Sequence, residues 1–172
     1  MNYISVPNRK PIPDMNKLVE EYGNSLLRMC FLYLKDIHLA EDAVQDAFIK
    51  VNKSYINFKG DSEEKTWVMR IAINVCKNYL RSSWWKRIDE AAVLENITVS
   101  NSTDALQDEA LLLEIMKLSP KYKEVILLFY YQDMKICEIA EVLNIPETTI
   151  SVRLMRAREI LKIKLKGWYY DE

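Results

Sequence analysis

Between Ile136 and Arg158 the sequence reads ICEIAEVLNIPETTISVRLMRAR, and this stretch admits few folds. Ile136, Ile139, Ala140 and Leu143 recur at helical spacing, so its first part is a short amphipathic helix. Asn144 then falls where a helix end needs a left-handed residue, a conformation that Asn tolerates best after Gly. Pro146 cannot extend that helix but suits the opening turn of another. From Thr148 or Thr149 a new periodic run places Ile150, Leu154, Ala157 and Leu161 on one face. Helix, tight turn, helix is the unit that many proteins lay in the DNA major groove. It also occurs in proteins that never meet DNA, so alone it leaves the function open.

The rest of the chain is expected to be helical as well. Among 172 residues there are only 3 Gly and 5 Pro, and β-branched runs are scarce. The longest apolar run, Val125–Tyr131, is far too short to span a bilayer, and the N-terminus has no apolar signal core. Cys30, Cys76 and Cys137 are isolated and odd in number, which reads as reduced core residues rather than a disulfide frame or zinc site. These features point to a cytoplasmic protein with no membrane insertion. No phosphate-cradling Gly loop, metal-ligand spacing or nucleophile with a base partner is present, so neither a catalytic site, a cofactor nor a metal is expected.

A net charge of −1 is an awkward value for a DNA-binding protein until it is divided along the chain. Residues 1–88 hold 14 Lys+Arg against 10 Asp+Glu, a net +4. Residues 89–114 hold 7 acids and no base, and residues 115–172 hold 10 bases against 8 acids. Two mildly basic bodies are therefore joined by an acidic segment, and a phosphate backbone responds to the local charge. The expected fold is all-α, with two small helical domains joined by an acidic flexible linker and the second ending in the helix-turn-helix. Its parts are a loose tail (1–13), a first domain (14–88), the linker (89–104) and a second domain (105–172). In the first domain helices are expected from Asp14 to about Lys35 and over Leu39–Tyr55. The polar loop Asn57–Lys65 follows, and then a helix from Trp67 to about Arg81 capped by Thr66. In the second, Leu106–Leu118 and Tyr122–Gln132 precede the helix pair.

The helix after Trp67 is the second feature suited to nucleic acid. At 100° per residue, Val68, Ile71, Ala72, Val75, Cys76 and Tyr79 share one side; Arg70, Asn74, Lys77, Asn78 and Arg81 share the other. Lys65 to Arg87 holds six Lys+Arg and no acid, together with Trp67, Trp84 and Trp85. Cations beside aromatics are what unpaired bases require, since stacking on an aromatic ring is worth about 1–3 kcal/mol per base. A solvated basic face with core tryptophans is the competing reading, above all for Trp67. The absence of any acid over so long a run favours nucleic acid.

At this point four segments stand in order: AEDAVQDAFIKV (Ala40–Val51), TWVMRIAINVCKNYLR (Thr66–Arg81), SPKYKEVILL (Ser119–Leu128) and the helix pair. Together they resemble bacterial RNA polymerase sigma factors of the sigma-70 family, in the small two-domain extracytoplasmic-function (ECF) subfamily. The resemblance implies a subunit, not an enzyme, that binds core RNA polymerase (the β′ clamp helices and the β subunit) and reads promoter DNA. It places core-polymerase binding on Asp42, Gln45, Asp46 and Phe48, whereas the residues alone suggest a solvated helix face with Phe48 in the core. It places recognition and opening of the −10 element on Asn57, Phe58, Lys59, Lys65, Trp67, Arg70, Asn74, Lys77, Asn78 and Arg81, with one base flipped into a pocket. The −35 reader would be the second helix of the pair. There Thr148, Ser151, Val152, Met155 and Arg156 project outward, with Thr149, Arg153 and Arg158 on the flanks. Val152 and Met155 are apolar at solvent-facing positions and suit thymine methyls, while the arginines suit phosphates. The sequence departs from the family's pattern at Asn144, where Gly is common, and at Val152, where a basic or small polar residue is common. The family also implies an anti-sigma partner, and a linker that threads toward the polymerase active centre, although a plain tether explains its acidity equally well.

Two rivals remain open from the residues. A stand-alone helix-turn-helix regulator would use residues 1–88 for sensing or dimerisation and bind duplex without polymerase. A polymerase-binding adaptor would bind core without directing transcripts.

Overall fold

The computed structural model describes residues 13–81 and 103–169. Among these there is no strand, and seven α-helices account for most of the described residues. The first unit holds α1 (Met15–Leu34), α2 (Ile37–Ser54) and α3 (Glu64–Arg81). The second holds α4 (Thr103–Lys117), α5 (Pro120–Ile126), α6 (Ile136–Leu143) and α7 (Glu147–Tyr169). Trp84, Trp85, Lys86, Arg87 and the linker up to residue 102 lie outside the described residues.

Local chemistry sets most helix ends. The Asp14 carboxylate accepts from the Lys17 N–H at 3.2 Å, and the Asp36 carboxylate accepts from the Leu39 N–H at 2.9 Å. Lys35 ends α1 in the left-handed conformation with φ 63°, so the break before α2 is two residues long and α2 begins at Ile37, earlier than the sequence suggests. At α3 the expected cap fails. The Trp67 N–H bonds to the Glu63 carbonyl at 3.1 Å, so the helix already runs from Glu64, and Thr66 is a buried residue of its first turn. An acid at that end suits the helix dipole. Gly60 takes φ 74° in the short turn between α2 and α3, where a side chain would be strained. Thr103 and Asp104, expected in the linker, belong to α4.

After α5 the chain adopts a π turn over Leu127–Tyr131, in which the Gln132 N–H reaches back to the Leu127 carbonyl at 3.1 Å. This turn lets Leu127 and Leu128 both face inward while Tyr130 faces solvent. Cys30 and Cys76 are buried with their Sγ atoms 3.4 Å apart, as free thiols, whereas Cys137 is exposed and not the core residue expected. Its place on α6 falls off the Ile139–Val142 face that is buried.

The two units share a continuous apolar core. It runs from Leu26, Met29 and Met69 of the first to Met116, Ile126 and Ile139 of the second. α1 packs on α4, α5 and the π turn, and α3 packs on α6. Polar groups at this seam are matched. Tyr33 donates to the Glu124 carboxylate at 3.3 Å, the Gln132 amide donates to the Ser25 carbonyl at 3.0 Å, and the Arg28 guanidinium lies over the Tyr131 ring at 5.2 Å. Among the described residues no buried side-chain nitrogen or oxygen lacks a partner.

Lys123 is buried at the same seam, with its Nζ 3.5 Å from the Tyr33 carbonyl. Burial, reinforced by Lys35, pushes its amine down to about 7 from the usual 10.5. Between those values the unfolded chain binds a proton that the folded chain sheds, so folding gains stability as pH rises above 7 and nothing further is lost below it. Burial and partners raise the Cys76 thiol and the Tyr33 hydroxyl, which opposes this gain only above pH 9. The thermal midpoint should therefore climb by a few degrees between pH 7 and 9. Lys123→Met should flatten that climb; an unchanged slope in the variant would assign the effect elsewhere.

Candidate nucleic-acid interface

The helix pair forms as its residues dictate. The Glu138 carboxylate accepts the Lys135 N–H at 2.6 Å, bracing the start of α6. Asn144 ends it in the left-handed conformation with φ 54°. Pro146 opens the next helix, its carbonyl accepting from Thr149 and Ile150 at 2.9 and 3.1 Å. Ile150, Leu154, Ala157 and Leu161 are all buried, which fixes the opposite face of α7 toward solvent. On that face Thr148, Ser151 and Arg156 are exposed, and Val152 and Met155 retain 43% and 51% of their surface.

A cleft of about 340 Å³ lies along this face, lined by Thr148, Thr149, Val152, Arg153 and Arg156 together with Lys121 and Tyr122. The last two come from the start of α5, with the Lys121 ammonium 4.9 Å from the Tyr122 ring. Sequence reasoning missed them because they lie more than twenty residues upstream and helical periodicity carries no information across a loop. Arg158 does not join this group. Its guanidinium donates to the Tyr130 hydroxyl at 2.8 Å, lies 5.4 Å from the Phe129 ring centre, and lines a different cleft with Leu111 and Ile115. One helical turn places it past the cleft and against the aromatic end of the π turn.

In the first unit, a cleft of about 450 Å³ opens between α2 and α3, lined by Lys50, Lys53, Ser54, Asn57, Ile71 and Asn74. Of the residues expected here it unites Asn57 and Asn74. Lys50, Lys53 and Ser54 were missed, because the facing wall of the cleft, Ile71 and Asn74, comes from α3 and no spacing within α2 reports it. Trp67 is not an open stacking platform. It is half-buried and braces the turn, with its ring 4.9 Å from Phe58 and 5.7 Å from Tyr55. The Tyr55 hydroxyl donates to Glu64, and that bond, more than burial, raises its pKa. Lys59, Asn78 and Arg81 are exposed. Lys65, Arg70 and Lys77 instead reach the second unit. Lys65 bonds to the Gln132 carbonyl, Arg70 donates to the Glu141 carbonyl at 3.1 Å, and Lys77 pairs with Glu124 at 2.9 Å.

On α2, Asp42, Gln45 and Asp46 share an exposed face. Phe48 does not: it is only 9% exposed and packs in the core, and Ile49, 50% exposed, takes the outward position beside the acids. The helical step accounts for this, since Phe48 follows the buried Ala40, Ala43 and Ala47. The Tyr79 hydroxyl donates to the Asp46 carboxylate at 2.9 Å, and burial followed by that bond pushes the phenol up to about 12.

The chain has counterparts among known proteins. Residues 18–86 match the family description Sigma-70 region 2, and residues 108–161 match Sigma-70, region 4. The chain is 32% identical over 166 residues to the ECF RNA polymerase sigma factor SigW of Bacillus subtilis (strain 168), with 87% of each chain covered. It is 30% identical over 158 residues to the RNA polymerase sigma-H factor of Pseudomonas aeruginosa, covering 84% of this chain and 82% of that one. The fold matches the sigma factor RpoE, solved in complex with the anti-sigma factor NepR from Bartonella quintana, with a TM-score of 0.71 at 22% identity. That match covers 92% of this chain and 99% of RpoE. It also matches CnrH, solved in complex with the cytosolic domain of CnrY, with a TM-score of 0.69 at 24% identity over 89% of this chain and 88% of that one. Two matched regions in order, joined to relatives of nearly full length, place the chain in the sigma-70 family, among the extracytoplasmic-function sigma factors of RNA polymerase.

Proposed function

We propose that this sigma factor joins core RNA polymerase through the outward face of α2 and reads a promoter at two places, upstream with α7 and at the opened strand beside α3. Directing promoter-specific initiation is the work of its family; the residues assigned here are our reading. The observation that carries it is the outward face of α7. Four buried apolar residues lock the helix while Val152 stays exposed within a cationic cleft and Met155 stays exposed on the same outward face. An apolar pair in such a place suits thymine methyl groups, with Lys121, Arg153 and Arg156 holding phosphates on either side.

The cleft between α2 and α3 suits the flipped base. Its volume accepts a nucleobase, Asn57 and Asn74 offer both donors and acceptors to a base edge, and Lys50 and Lys53 neutralise the backbone. Unstacking a base costs a few kcal/mol, which such contacts would offset. The acids of α2 and the neighbouring Ile49 suit a basic, partly apolar partner surface. Since RpoE was solved with an anti-sigma factor, we infer that this chain also takes such a partner. No helix among the described residues is long and apolar enough to cross a membrane, and we place the protein in the cytoplasm with the polymerase.

Mixing the purified chain with core polymerase on genomic DNA should give transcripts from a subset of promoters, and none from any template would sink this reading. Arg156→Ala should weaken promoter binding across sequences and lower the salt slope by about 1. Val152→Ala should keep the slope and relax preference at a single base pair; identical behaviour of the two variants would refute the division of roles. Asp46→Ala combined with Gln45→Ala should weaken core binding about tenfold with the thermal midpoint retained. Unchanged affinity in a titration of labelled core would move the docking face elsewhere.

A further inference from the structure

The core of the first unit holds two thiols that belong to none of the surfaces proposed for DNA or polymerase. Cys30 lies on α1 and Cys76 on α3, 46 residues apart in sequence, yet their Sγ atoms meet at 3.4 Å. Both are fully buried, and both are free thiols. Cys30 shares the inward face of α1 with Leu26 and Tyr33, and Cys76 shares that of α3 with Ala72 and Ile73. Core packing on both helices therefore brings the two sulfurs together. Any small apolar residue would fill either position, but two cysteines in contact across helices bring a chemistry that alanine lacks. At 3.4 Å the sulfurs stand only about 1.4 Å farther apart than the roughly 2.05 Å of a disulfide. The contact with Cys30, and then burial, raises the Cys76 thiol, so the closed pair is protonated and slow toward oxidants. In a reducing cytoplasm such a pair rests as two thiols.

We propose that Cys30 and Cys76 form a reversible disulfide site, closed by a hydroperoxide when α1 and α3 part briefly, and that the bond staples the first unit together under oxidant. One sulfur attacks a peroxide oxygen, the O–O bond breaks, and the thiol proton leaves with the departing oxygen as water; a sulfenic acid remains. The second sulfur then attacks the sulfenic sulfur. The S–O bond breaks, and the hydroxyl leaves with the second thiol's proton as another water. Two thiols and one hydrogen peroxide thus give one disulfide and two waters, the sulfurs being oxidised and the peroxide oxygens reduced. A reducing thiol reopens the bond by exchange. All of α2 lies within the loop so closed, and the bond restricts the unfolded chain far more than the folded one. The outward faces of α2 and α7 lie on other helices and are left as they are.

The test uses the full chain carrying Cys137→Ser, which removes the exposed thiol able to join two chains. After hydrogen peroxide, the remaining thiols are alkylated in denaturant, and the chain is digested without reductant for mass spectrometry. Peptides joined through Cys30 and Cys76 should dominate. The thermal midpoint should rise by about ten degrees and fall back on adding dithiothreitol. Oxidation should quicken about tenfold in urea below the unfolding midpoint, where opening is more frequent. Thiols that stay free, sulfinic or sulfonic acids in place of the bond, or a midpoint that does not rise each overturn the proposal. A rate indifferent to urea overturns the opening step. Adding Cys30→Ala and Cys76→Ala should abolish the shift, and an equal shift without both thiols is a refutation. If that variant fails to fold, the peptide map and the reversible midpoint of the chain with both thiols still decide.

Discussion

A carboxylate taken out of water holds this molecule in its present shape. Glu124 sits at the seam of the two helical units, where a lone charge would cost several kcal/mol. It is tolerated because the Lys77 ammonium and the Tyr33 hydroxyl, both from the other unit, supply the partners that water would have given. Neither unit could bury this residue alone. Beside it, Lys123 accepts an equal desolvation by easing toward its neutral form. The seam thus combines an apolar core, which favours closure under any condition, with a polar centre whose worth depends on both halves being in place.

The three surfaces proposed for interaction differ in how they are kept ready. On α7 the outward face is preformed, because its opposite side is nailed down by four buried residues and the helix has no freedom to rotate. On α2 the Asp46 carboxylate is held by a bond from the Tyr79 hydroxyl of α3. Along α3, Lys65, Arg70 and Lys77 are ordered too, but in bonds that must be exchanged before they meet anything else. Preorganisation lowers the entropy cost of binding in the first two cases, and in the third it adds a cost that a partner must repay.

Much of this was legible in the sequence where the information is local. Periodicity gave the inward residues of α7, and Asn144 and Pro146 marked the turn before it by backbone preference. Cap rules failed at Thr66, because a residue of the right type lay in the first turn of a helix that an upstream carbonyl had already begun. The pairing of charges across the seam was not legible, for a different reason. Glu124, Lys77 and Arg70 look like solvated positions in any single-helix projection, and only their partners across the chain make them otherwise. Phe48 shows the reverse, since the residues alone put it in the core and the family resemblance drew it outward. Lys121, Tyr122, Lys50 and Lys53 complete clefts whose walls come from two helices, and no pattern within one helix reports them.

The π turn at Leu127–Tyr131 has a consequence for the geometry of the whole chain. It contains one residue more than an α-helix would use to cover the same rise, and one residue is worth about 100° of rotation. Everything after it is therefore phased differently from everything before. That phase brings the Gln132 amide to Ser25 and its carbonyl to Lys65. It also sets the azimuth at which α6 meets α3 and at which α7 points outward. A single-residue deletion in this turn would leave each helix intact as a helix. The outward face of α7 would nevertheless aim in another direction, as a screw thread cut with the wrong start still turns but no longer seats.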